Sequence, residues 1–173
     1  MSLLDVQNFL ARIYTDENLR REFLSAPEVI GKANNLNETE IAELAEVFPD
    51  ELNSFAESLF YKRLREVEKF LPLTNQVLKQ NFEKQFRIFA DSYLPSTVKK
   101  HLEDAVEFCS YLQKNKSASD IAKNTAKFEQ AKLEFFGFEK PLVVRIFDYD
   151  IKTNKKRKHL AVWLRIGKRN IIF

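Results

Sequence analysis

The sequence predicts a mainly α protein of the α+β class: a bundle of about six to seven helices followed by a small C-terminal antiparallel β-meander. Three observations predict it. Apolar residues recur at three- and four-residue steps through most of the chain, the mark of amphipathic helices. After Gly137 the period shortens to two, as in half-buried strands. Glycine is scarce, at 3 of 173 residues, and proline is 5, which argues against a sandwich built on many tight turns. A chain of this length suits one domain or a domain with an appendage. We expect a helical domain over 1–137 and a small basic β subdomain over 138–173.

The first helix is expected over residues 3–14, with Val6, Phe9, Leu10 and Ile13 on one face. Thr15 is placed to cap a second helix with acids in its first turn and Leu19 and Phe23 inward. Ala26-Pro27 breaks it, and Pro27 starts a short helical turn to Ala33. Asn37 and Glu40 have capping-box spacing ahead of inward Ile41, Leu44, Ala45 and Phe48. The stretch PDELNSFAESLFYKRLREVEKFLP, Pro49 to Pro72, is the longest helix by pattern and the expected centre of packing. Its stripe is Leu52, Phe55, Ala56, Leu59, Phe60 and Val67, interrupted by Arg63. Pro49 and Asp50 suit its start, and Pro72 its end.

One helix is then expected from Thr74 or Asn75 to Tyr93, burying Val77, Leu78, Phe82, Phe86, Phe89 and Ala90. Ser96 or Thr97 is placed to cap the next, to about Lys114. The last runs from Asp120 to Phe136, with Gly137 at its C′ position. LVVRIFDYDI then reads as a strand with Val143, Arg145, Phe147 and Tyr149 on one face. KTNKKRK reads as a charged loop, HLAVWLRI as a second strand, GKRN as a turn and IIF as a third strand. So small a sheet is marginal alone, so one face is expected to pack on helices or a partner.

Chemistry-bearing constellations are few. His101, His159 and Cys109 are the only His and Cys residues, and a metal site needs a cluster of such ligands. His101 and Cys109 share a face by spacing, yet a surface His and a core Cys explain them more simply. No GxGxxG, P-loop or HExxH occurs, and no Glu-x-x-His of a di-iron bundle. No enzyme activity and no cofactor are therefore expected. No basic-then-apolar leader and no long apolar run is present, so a cytoplasmic protein without a membrane span is expected.

Charge is the more informative feature. Residues 139–173 hold ten Lys/Arg and three acids, a net of +7, leaving the rest of the chain at −4. A basic sheet with Tyr149 and Trp163 suits an acidic extended peptide at a strand edge, with Arg145, Phe147, Tyr149, Trp163 and Arg165 as contacts. It also suits nucleic acid, where cations meet phosphates and aromatics stack bases. Protection of a short sheet against aggregation is the plain alternative. Lys62, Arg63 and Arg65 on the long helix are either a solvated face or a partner-docking patch.

The order of three segments resembles a family. FLARIYTDENLRREFLSAP looks like the opening, FAESLFYKRLREVEKFLP the central signature, and LAVWLRIGKRNIIF the closing strands, of a group of small bacterial proteins. These are encoded beside, or fused behind, multinuclear non-haem iron oxidases that modify ribosomal peptides, as in methanobactin biosynthesis. The resemblance implies a non-catalytic partner: the oxidase holds the irons, and the partner recruits the precursor peptide by strand addition and docks on the oxidase. The exposed edge would come from the strand with Arg145 to Tyr149 or from His159 to Arg165. Some relatives of such partners carry a DNA-binding description, so a DNA-binding regulator is the runner-up expectation.

Overall fold

A computed structural model describes residues 3–46, 49–167 and 169–173. Among these, nine α-helices run in order: α1 (Leu3–Thr15), α2 (Glu17–Ser25), α3 (Pro27–Ala33), α4 (Glu38–Ala45), α5 (Pro49–Phe70), α6 (Pro72–Leu78), α7 (Asn81–Ala90), α8 (Lys100–Lys114) and α9 (Asp120–Lys132). A π-helical turn, Leu133–Gly137, continues α9. Strands β1 (Leu142–Tyr149), β2 (Lys156–Ile166) and β3 (Arg169–Ile172) form an antiparallel meander in the order β1-β2-β3. The α+β class read from the sequence is the observed one. The chain divides into two compact units, Met1–Lys62 and Arg63–Phe173, the division falling inside α5.

In the first unit, helix starts follow from local hydrogen bonding. Asp16, not Thr15, caps α2: its carboxylate accepts from Leu19 N at 2.9 Å. The Thr15 hydroxyl donates back to Ala11 O at 2.8 Å, which keeps that residue in α1. The capping box of α4 forms in both directions, Glu40 N to Asn37 Oδ1 and Asn37 N to Glu40 Oε2. Phe9, Ile13, Leu19, Phe23, Leu36, Ile41 and Leu52 make the core, Phe9 and Phe23 meeting edge to face at 5.2 Å. The expected inward Phe48 lies outside the described residues. Phe55, expected in the α5 stripe, is 48% exposed and lays its ring against Tyr14.

In the second unit, Pro72 both ends α5 and opens α6 from its first turn. The single helix expected from Thr74 to Tyr93 is two. Lys79 takes φ +52° between α6 and α7. The break leaves α6 with its Leu73 and Thr74 amides on the buried Glu129 carboxylate, at 2.9 and 2.8 Å. It leaves α7 with Phe82 and Phe86 edge-on to Phe108, at 5.3 and 5.2 Å. Neither Ser96 nor Thr97 caps α8, which starts at Lys100 without a side-chain cap. Glu103 instead reaches back and accepts from Thr97 N, Ser96 N and the Tyr93 hydroxyl. Gln130 on α9 donates to Val106 O and Ser110 Oγ on α8.

Gly137 closes the π-helical turn rather than standing beyond it in the left-handed region. A Cβ there would lie 2.7 Å from Leu102 Cδ2, so the glycine serves close approach, not φ. The first strand stops at Tyr149, short of Ile151. β2 starts at Lys156, earlier than the charged run led one to expect, because Tyr149 pairs with Lys156 across a register shift after Phe147. β3 likewise begins at Arg169, inside the expected turn.

Candidate peptide-binding sheet

The sheet has an inner and an outer face because side chains alternate along each strand. Val143, Phe147 and Trp163 point inward and pack with Ala131 and Phe135 of α9 and the π turn, with Phe128 alongside. In register with one another on the other side lie Leu142 opposite Leu164, Val144 opposite Val162, Ile146 opposite Leu160 and Ile171 opposite Leu164. Leu142, Val144, Ile146, Leu160, Ile166 and Phe173 are each 43% exposed or more. The outer face is therefore an uncovered apolar surface within this unit, where an ordinary two-faced sheet would turn polar side chains to water.

The ladder shows which backbone groups remain open. Val162 exchanges both hydrogen bonds with Phe173, and Arg165 N donates to Pro141 O. By alternation, Val143, Arg145 and Phe147 bond to β2, while Leu142, Val144, Ile146 and Asp148 point to the free side of β1. Two of these outward groups have partners: Arg145 Nη1 donates to Val144 O, and Asp148 N donates to Asn124 Oδ1 at 3.0 Å. The N–H groups of Leu142, Val144 and Ile146 and the carbonyls of Leu142 and Ile146 have none among the described residues. β1 is thus an edge whose middle is open and whose end is closed by Asn124.

The five expected peptide contacts lie on the inner side of the sheet. Phe147 and Trp163 are buried, at 1% and 2% exposed. Arg145 pairs with the buried Glu134 at 2.8 Å, and Lys140 shares that carboxylate at 2.9 Å. Arg165 donates to Phe135 O and Glu139 O, with its guanidinium 5.1 Å from the Phe135 ring. Its bond to Phe135 O satisfies a carbonyl left open at the end of the helix. Tyr149 is half-buried, and its hydroxyl stands 3.4 Å from Asp120 Oδ2. The structure brings the five together as the sheet's attachment to the helices, leaving the outer face and the open edge as the accessible surface.

Of the expected docking residues, Arg63 is committed elsewhere. It forms a two-pronged pair with the fully buried Asp104, at 2.7 and 3.1 Å, and donates to Tyr93 O. Lys62 and Arg65 are exposed. Of the basic tail, Lys168 lies outside the described residues. Lys152, Lys155, Lys156, Arg157, Lys158 and Arg169 are exposed. The turn that carries part of this run is ordered by Asp150, whose Oδ1 accepts from Lys152 N, Thr153 N and Thr153 Oγ1. The backbone bond from Thr153, first among these, holds the Asp150 carboxyl below its ordinary value.

Reactive groups offer little chemistry. Cys109 is fully buried, and desolvation pushes its thiol well up, with the Glu129 charge adding to the effect. That keeps it protonated and a poor nucleophile. No hydrogen bond joins it to the half-buried His101. Among the described residues, no group of three His, Cys, Asp or Glu is placed to hold a metal ion, and no helix is long and apolar enough to cross a membrane. Sequence reasoning missed Asn124, Glu129 and Glu134, polar residues within the last expected helix. Each is buried because it satisfies backbone or a cation on a different element. Compared with known proteins, the chain matches no family model, no curated protein and no solved structure at a significant level.

Proposed function

We propose that the protein is a non-catalytic adaptor that captures an extended precursor peptide by strand addition at β1 and delivers it to a multinuclear iron oxidase. The open middle of the β1 edge is the observation that carries this reading. An added strand would satisfy the outward groups of Leu142, Val144 and Ile146, the usual source of affinity in such complexes. Its alternate side chains would extend the apolar outer face of Val144, Ile146 and Leu160. The fixed anchors are then backbone groups and aliphatic side chains, while Arg145, Phe147, Trp163 and Arg165 hold the sheet rigid on α9. The oxidase as partner rests on the resemblance of the ordered segments. Exposed Lys62 and Arg65 remain candidates for its docking surface.

Ile146→Pro tests the edge. The Ile146 N–H points away from β2, so proline there removes no ladder bond yet blocks a docking strand. Co-expressed with an iron oxidase of this class and its precursor peptide, the wild-type chain is expected to copurify with both. The variant is expected to keep the oxidase and lose the peptide. Retention of peptide by the folded variant contradicts edge capture. Association with neither, and salt-sensitive binding to duplex DNA instead, supports the regulator that the exposed run Lys155–Lys158 would serve.

A further inference from the structure

A cavity of about 430 Å³ opens at the closed end of the β1 edge, between α9, the last residues of β1 and the first residue of β2. Its basic lining is Lys123 and Lys127, one helical turn apart on α9, and Lys156 on β2. Asp120 and Asp148 line it too, so its formal balance is positive by one charge. None of the three lysines makes an ion pair within 4.0 Å among the described residues. Lys123 and Lys127 are half-buried. Other basic residues of this unit contrast with them: Arg63, Lys140 and Arg145 each have a carboxylate partner.

Asn124 links this cavity to the edge. Its side chain lines the cavity, accepts from Asp148 N and donates to Tyr149 O at 2.9 Å. It therefore occupies the edge position at which a docked strand would otherwise make its next backbone bond. Strand pairing stops at Ile146, and whatever follows in the peptide passes the mouth of the cavity.

We infer that this cavity reads an acidic residue of the captured peptide, an Asp or Glu side chain just beyond the paired segment, through Lys123, Lys127 and Lys156. The inference rests on the edge-capture reading and adds to it a charge requirement at one position. A carboxylate would accept charge-assisted hydrogen bonds from ammonium groups that have no acidic partner of their own. The substrate class is then a peptide with alternating apolar residues that ends its strand on an acid, which fixes the register that apolar contacts alone leave loose.

The test is selection of short random peptides displayed against the full-length chain, against K123A/K127A/K156A, and against the matching triple arginine variant. Circular dichroism and thermal melting check that all three proteins are folded. Wild type is expected to enrich alternating apolar peptides with Asp or Glu at one fixed position. The alanine variant is expected to keep the apolar alternation and lose the acid, and the arginine variant to keep both. Changing that acid to its amide in a selected peptide should weaken binding to wild type about tenfold and to the alanine variant hardly at all. Equal acid preference in wild type and the alanine variant, or no acid preference in either, overturns the cavity's role while edge capture stands. Failure of the folded wild-type chain to enrich any peptide overturns edge capture, and this inference with it.

Discussion

At the scale of single residues, buried charge decides more of this protein than its surface count suggests. Arg63, Arg145 and Arg165 looked available for binding because cations are normally solvated. Each instead meets a polar group within its own unit: Asp104, Glu134, and the carbonyls of Phe135 and Glu139. These partners sit 26 or more positions away for Arg63 and Arg165 and on another element for Arg145, so no local pattern shows them. Glu103 is the clearest titrating case. Hydrogen bonds from Thr97 and then Tyr93 lower its carboxyl from 4.5 to about 2. A lowered carboxyl contributes stability that is complete above pH 4.5 and is lost as pH falls toward 2. Glu103→Gln should therefore cost stability at neutral pH, and the difference between the two proteins should shrink through that window. Urea unfolding at a series of pH values measures it. Parallel curves would show that the bonds to the loop after Tyr93 do not favour the charged form.

Individual elements were legible where the pattern was local. The capping box at Asn37 and Glu40, the stop at Pro72 and the alternation of Val143, Arg145, Phe147 and Tyr149 are all set by neighbours within a few residues. The break between α6 and α7 was not, because VLKQNF carries neither Gly nor Pro. It arises from two competing attachments, Glu129 to the start of α6 and Phe108 to the face of α7. Lys79 bears the result in a backbone conformation, φ +52° and ψ −128°, that costs a residue with a Cβ about 1–3 kcal/mol. Lys79→Gly removes that strain and adds chain entropy on unfolding. The expected outcome is a net gain of about 1 kcal/mol, seen as a higher denaturation midpoint with an unchanged slope. A loss of stability would show that the break is not strained and that α6 and α7 gain from the side chain.

For the whole molecule, the separation of an acidic helical part from a basic tail was visible in composition, and so was the switch of period after Gly137. Which face of the sheet would be covered was not. Both faces of β1 read as substantially apolar, and only the position of Phe128, Ala131 and Phe135 makes Val143 and Phe147 the inner set. The fold thereby leaves an open strand edge, an apolar outer face and a lysine-lined cavity at one end of that edge. The central claim is that the open edge is where a peptide joins. Amide hydrogen exchange of the chain with and without a selected peptide tests it most directly. The Val144 and Ile146 amides should become strongly protected on binding, while Val143, Arg145 and Phe147, already in the ladder, change little. Bound peptide with Val144 and Ile146 still exchanging at their free rates would contradict the account.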